Sequence, residues 1–154
     1  MIKFGFVNLI KKSYFLLILI FFVQCTSQGE EIILKDYQWV DRILLIYSKN
    51  PEFVVAQLEY LSQPDELIER DLVVIYRENE KFKISSDGLK TINTLDNESK
   101  NNITNKFFLK EESRILLLGK DGLIKISSNN ILNSKYIYEI IDEMPMRKLE
   151  INQK

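Results

Sequence analysis

Asp65, Glu66, Glu69 and Asp71 crowd around Arg70, and Asp142 stands five residues before Arg147. These are the side chains whose types and spacing are suited to polar chemistry. Paired carboxylates can divide acid and base roles or hold a hard cation. The first group has no calcium-loop spacing, and carboxylates solvating a helix end around an ion pair are the plainer reading. Asp142 and Arg147 admit two readings: an arginine folded back as a structural lock, or Met144 and Met146 offered to a partner, since methionine adapts to varied surfaces. Trp39 and Arg42 flank the start of an apolar run; Trp39 reads as a packing residue sealing a sheet end, with a ligand-stacking platform as the alternative. Gly119-Lys120-Asp121-Gly122 is too short for a nucleotide phosphate loop and precedes a strand, so a hairpin turn is its reading.

Composition narrows the chemistry further. The chain has no His, which removes imidazole bases, Ser-His and Cys-His pairs and every His-containing metal set. Its one Cys, Cys25, leaves no internal disulfide, redox pair or cysteine zinc cluster. No cofactor is implied.

The N-terminus has the grammar of an export signal. Lys3, Lys11 and Lys12 precede the apolar run Tyr14 to Val23, which is far shorter than the roughly 20 residues a membrane-spanning helix needs. The run leads to Cys25 and then Thr26-Ser27-Gln28-Gly29-Glu30-Glu31, an order that resembles a bacterial lipoprotein signal in which Cys25 becomes the lipidated residue. Gln24 stands where that signal carries a small residue, so soluble export after cleavage at Cys25 or Ser27 remains the alternative. Cleavage before Cys25 removes three lysines and no acid, taking the formal net charge from -1 to -4. An acidic mature chain lacks the clustered basic surface of nucleic-acid binders. The expected organisation is a signal over 1–24, a polar tether over 25–36 and one domain over 37–151.

The mature chain alternates buried-type strands with helices. Arg42 to Tyr47 is a nearly continuous apolar run, as expected of a strand covered on both faces. Asn50-Pro51 caps and starts a helix to Ser62, which Pro64 stops. Leu72 to Tyr76 is a second such strand, so a parallel βαβ unit is expected. Lys81 to Ser85 is a weak edge strand within a charged excursion, and Asn101 to Leu109 a short helix with Ile103, Phe107 and Phe108 inward. Asp121-Gly122 then predicts a two-residue hairpin pairing Leu117 with Ile126 and Leu118 with Lys125, which puts Ile124 on the inner face and the second strand at the sheet edge. Asn133 or Ser134 caps a last helix through Ile137, Ile140, Ile141 and Met144. Pro145 ends it, and residues 146–150 trail away.

This is the element order of the thioredoxin fold: an α/β domain with a βαβ unit followed by helix, antiparallel hairpin and C-terminal helix. Trp39 to Leu45 (WVDRILL), Arg70 to Val74 (RDLVV), Leu117 to Lys125 (LLGKDGLIK) and Ile141 to Arg147 (IDEMPMR) narrow it further. On these stretches the chain resembles the bacterial family known as domain of unknown function 4174, small exported proteins with a thioredoxin-like fold. The resemblance implies a fold and an address but no activity. Where thioredoxins carry their paired cysteines this chain has Ser48-Lys49-Asn50-Pro51, and no proline precedes the hairpin.

The expectation is therefore a non-catalytic envelope protein, membrane-anchored through Cys25 or periplasmic or secreted, that binds another envelope protein or a small ligand. The alternative is a hydrolase-like enzyme using Arg70, Asp71 and Asp142. It requires Arg70, Asp71, Asp142 and Arg147 to meet in one concave pocket.

Overall fold

A computed structural model describes residues 32–108 and 110–153; the expected signal segment and Cys25 lie outside them. One mixed six-stranded sheet forms the centre. In chain order its strands are β1 (Arg42–Ser48), β2 (Leu72–Glu78), β3 (Lys81–Ser85), β4 (Asn93–Thr94), β5 (Ser113–Leu118) and β6 (Ile124–Ser128), and their spatial order is β4-β3-β2-β1-β5-β6. Helices α1 (Ile32–Tyr37), α2 (Pro51–Tyr60), α3 (Pro64–Glu69), α4 (Asn97–Ile103), α5 (Ser134–Glu143) and α6 (Pro145–Gln153) surround it, and a π-helical turn over Thr104–Phe108 extends α4.

β1 and β2 pair in parallel, Ile43 with Val73 and Leu45 with Ile75, and every residue of β1 is buried. Alternation divides their side chains between two cores. Leu44, Ile46, Val74, Ile115 and Leu117 face Val54, Leu67, Ile137 and Ile141 of the helices α2, α3 and α5. Ile43, Leu45, Val73, Ile75 and Leu116 face Ile103 and Phe108 on the other side. Two covered faces explain why these strands read as unbroken apolar runs. Phe108 stacks on Tyr47 with ring centroids 4.7 Å apart, closing the second core with the offset geometry aromatic quadrupoles favour.

Several elements depart from the sequence reading. Pro64 does not only stop α2; it begins α3, where its fixed φ suits the first turn, and Leu67 anchors the new helix in the core. Residues 32–36, read as tether, belong to α1, because Leu34 and Tyr37 pack on the second core. Pro145 likewise starts α6 where a trailing tail was expected. The hairpin is wider than two residues. Leu117 does pair with Ile126, but a bulge between Leu117 and Leu118 brings Leu118 opposite Ile124 rather than Lys125. Gly119 N–H donates to Leu123 O (3.0 Å) and Gly122 N–H to Gly119 O (2.9 Å), so 119–123 form the loop. The slip leaves Ile124 51% exposed instead of on the inner face. β6 is the edge strand, as expected, while β3 is flanked by the short β4.

The charged excursion after β3 is held by Asp87. Hydrogen bonds from the Thr91 hydroxyl and amide and from the Ser85 hydroxyl hold its carboxyl down to about 2. Gly88 follows with φ +70°, and a Cβ there would lie 2.5 Å from the Pro64 carbonyl oxygen. Gly88→Ala is accordingly expected to cost about 1–3 kcal/mol from overpacking and left-handed strain. Urea denaturation beside a Lys90→Ala control checks this; equal midpoints for the two variants would dismiss the contact.

Candidate functional site

β1 and β2 begin, and β5 ends, at one end of the sheet. There α3 runs into β2 and α6 lies across the strand starts. The helix α3 ends with unpaired carbonyls, as every helix does, and arginines supply the missing donors. Arg70 Nη1 donates to Glu66 O (3.2 Å), Arg147 Nη1 to Glu69 O (2.8 Å) and Arg42 Nη1 to Arg70 O (2.9 Å). Cations near a helix C-terminus also meet the favourable end of its dipole. The chain then passes through Asp71 at φ 46°, a left-handed position that a short polar residue tolerates, before entering β2.

The same arginines join the carboxylates into one lattice. Asp142 is bridged, its Oδ2 accepting from Arg70 Nη2 (2.6 Å) and its Oδ1 from Arg147 Nε (3.2 Å). Arg70 also meets Glu66 Oε2 at 2.6 Å, and Arg147 meets Glu69 Oε1 at 2.8 Å. Arg42, fully buried, donates through Nη2 to both oxygens of Glu150, each at 3.1 Å. Lys120, at the tip of the hairpin, spans Asp71 Oδ2 (2.8 Å) and Glu150 Oε1 (2.9 Å). Arg42, Arg70, Lys120 and Arg147 thus interlock with Glu66, Glu69, Asp71, Asp142 and Glu150.

Protonation follows from these contacts. Burial works against the charged forms of Arg70, Lys120 and Arg147, yet their carboxylate partners outweigh it and raise all three. Burial pushes Glu150 up, but hydrogen bonds from Lys120 and Arg42 prevail and hold it below the ordinary glutamate range. A depressed folded value means that Glu150 contributes stability in full above its unfolded value, about 4.3. That contribution is lost as pH falls through the folded value. Glu150→Gln is expected to be less stable than the parent at neutral pH and to converge on it in acid. Denaturation curves across the acid range check this, and a constant gap at every pH would exclude the linkage.

The lattice brings together Arg42, Arg70, Asp71, Asp142 and Arg147, and the Asp142–Arg147 lock is present as expected. Only two of them line the hollow beside α3. Arg70 and Asp142 line an open hollow of about 370 Å³ with Glu66, Tyr138 and Glu139, which neither Asp71 nor Arg147 reaches. In it the Arg70 guanidinium lies 4.7 Å over the Tyr138 ring, and both oxygens of Asp142 are already engaged. Trp39 corrects its packing assignment: it is 63% exposed, at φ 69°. Its N–H donates to Lys120 O at 2.7 Å, which fixes the backbone to the hairpin and turns the ring away from the core. Lys120 and Glu150 are not among the residues expected at the site, since Lys120 reads as part of the hairpin turn and Glu150 as part of a trailing tail. The signal available for both was their place in or beside the most specific motifs.

A second concavity of about 210 Å³ opens between α1 and the hairpin, its lining divided between apolar residues such as Leu34, Ile43 and Leu118 and polar ones such as Lys35, Asp41 and Lys106. Burial and the Asp71 charge raise Asp41, partly opposed by Lys120 and Arg42. At the opposite end of β1, where thioredoxins carry their cysteines, the backbone is occupied with its own structure. Ser48 Oγ and Ser113 Oγ are 2.7 Å apart, Asn50 N–H donates to Ser48 Oγ (2.9 Å), and Asn50 Oδ1 caps α2 by accepting from Glu52 N–H (3.0 Å). Among the described residues no group of three or more acidic or cysteine side chains has an arrangement that could hold a metal ion.

A central parallel β1–β2 pair with an antiparallel hairpin beside it and helices on both faces defines a thioredoxin-like α/β domain. Within that class the match is specific. The model of the family described as Domain of unknown function (DUF4174) covers residues 33–150, and the chain belongs to that family. No curated protein and no solved structure matches it. The matched span runs from the first residues of α1 to Glu150, and so includes every member of the ion-pair lattice.

Proposed function

We propose that the protein is a non-catalytic binding module of the cell envelope, exported and held at a membrane through Cys25. The observation that carries the non-catalytic part is the mutual neutralisation of its chemistry-bearing groups. Both oxygens of Asp142 accept from arginines, and Arg70 and Arg147 are each spread over two carboxylates. A general acid or base needs an oxygen directed at a substrate, and these oxygens are directed at guanidinium groups. The cleft between α1 and the hairpin sets apolar Leu34, Ile43 and Leu118 beside polar Lys35, Asp41 and Lys106, so it suits a small ligand with both an apolar part and polar groups. The Lys-rich start before a short apolar run that leads to Cys25 supports the address.

Nitrogen-labelled protein titrated with fractionated envelope extract tests the reading, followed by amide shifts and by turnover of ester, phosphoester and peptide substrates. The expected result is shifts confined to amides around the cleft, such as Gln38, Gly119 and Gly122, with no turnover. Shifts centred on Arg70 and Asp142 accompanied by turnover would establish the enzyme instead. Mass spectrometry of the native N-terminus decides the anchor: an acylated Cys25 supports it, and a chain starting at Thr26 or Gln28 removes it.

A further inference from the structure

The lattice end of the domain has an inverted surface. α6 is attached through charge, turning Arg147 (2% exposed) and Glu150 toward the sheet, while Leu149 (62%) and Ile151 (47%) point outward. A helix on a water-facing surface does the reverse, burying its apolar residues and solvating its ions. Trp39 and Val40, 63% and 58% exposed, occupy the same end, since Lys120 joins them to α6: its carbonyl accepts from Trp39 N–H and its ammonium binds Glu150. Leu123 and Ile124 are exposed on the adjoining hairpin. Trp39 keeps a left-handed backbone at φ 69°, a strained conformation for a bulky residue that persists only where the surroundings impose it.

We infer that this end lies on a lipid bilayer surface, with Trp39 and Val40 entering the interface. The inference rests on the anchored address proposed above, and the short link from Cys25 to α1 favours a membrane over a second copy. Seven Cα-to-Cα steps lead from Cys25 to Ile32, the first residue of α1. Even fully extended they reach about 25 Å. α1 in turn passes directly through Gln38 to Trp39. An acylated Cys25 therefore keeps Trp39 within reach of the headgroups, where the amphipathic indole ring is favoured, and the outward leucine and isoleucine of α6 gain apolar contact.

Trp39 is the protein's sole tryptophan, so its emission reports this contact without labelling. The exported full chain is mixed with vesicles of phosphatidylcholine carrying bromines on the acyl chains. A Trp39→Phe, Ile131→Trp variant serves as reporter at the opposite end, where the loop after β6 leaves Ile131 39% exposed. The expected result is a blue shift and bromine quenching of Trp39, with loss of quenching by aqueous iodide, while the tryptophan at 131 stays in water. The inference is overturned if Trp39 remains open to iodide and untouched by bromine, if both reporters respond equally, or if Trp39 is already shielded by association of copies before vesicles are added. Intact mass on the same samples separates the two proposals. Acylated protein with Trp39 in water keeps the anchor and loses the orientation; unacylated protein whose Trp39 enters the vesicles does the opposite.

Discussion

Arg42→Ala is expected to lower the unfolding free energy by about 3–5 kcal/mol, the range for breaking a buried ion pair by removing one partner. Arg42 has no exposed surface, and its guanidinium holds the Arg70 carbonyl and both oxygens of Glu150. Its loss leaves a cavity at the start of the central strand, an unpaired carbonyl behind α3 and a carboxylate with Lys120 as its main remaining partner. Much of the cost is that of the Glu150 carboxylate and the cavity, which an apolar replacement of both residues avoids while the Arg70 carbonyl stays unpaired. The double variant Arg42→Met, Glu150→Leu is therefore expected to recover much of the stability that Arg42→Ala loses. Urea denaturation at neutral pH measures both. A loss under about 1 kcal/mol for Arg42→Ala would place the pair with ordinary surface salt bridges and refute the lattice as the organiser of this end.

Arg147→Ala is expected to cost about 2–3 kcal/mol, in line with hydrogen bonds to charged groups. The figure is below that for Arg42 because Glu69, at 50% side-chain exposure, regains water when the arginine goes. Asp142 keeps Arg70. The damage should be local as well as global, since Arg147 is the only buried residue of α6. Amide exchange is expected to rise from Lys148 to Gln153 while β1 and β2 keep their protection. Coupling with Asp142→Asn in a double-mutant cycle isolates the lock itself; an unchanged melting temperature for Arg147→Ala, or additive effects in the cycle, would show the lock to be energetically idle.

The legible parts of this chain are those where local pattern and tertiary role coincide. RILLIY and LVVIY read as strands because both faces of the sheet are covered, so nothing interrupts their apolar runs. Asn50 and Asn133 read as caps because a cap acts within two or three residues of itself, and each accepts the expected backbone donor. The Asp142–Arg147 lock was legible for the same reason, being a contact over five residues. Illegible were the partners separated by long stretches of chain. Lys120 meets Asp71 across 49 residues and Arg42 meets Glu150 across 108. A hairpin rule pairs Lys120 with its neighbour across the turn; in the fold its ammonium is drawn inward, and the loop widens.

Trp39 shows the limit most clearly. A lone tryptophan before a buried strand has the composition of a packing residue, and its outward orientation depends on one hydrogen bond to a hairpin eighty residues later. The amino-acid sequence alone determined the central strands, the helix caps, the family and the chemistries excluded by the absence of histidine and of a second cysteine, because these depend on composition and short-range spacing. Tertiary structure alone decided that four cations and five carboxylates at one sheet end neutralise one another, and that apolar side chains are left facing outward beside them. Coulombic pairing depends on distance in space, and only the fold brings α3, the hairpin and α6 to the same place.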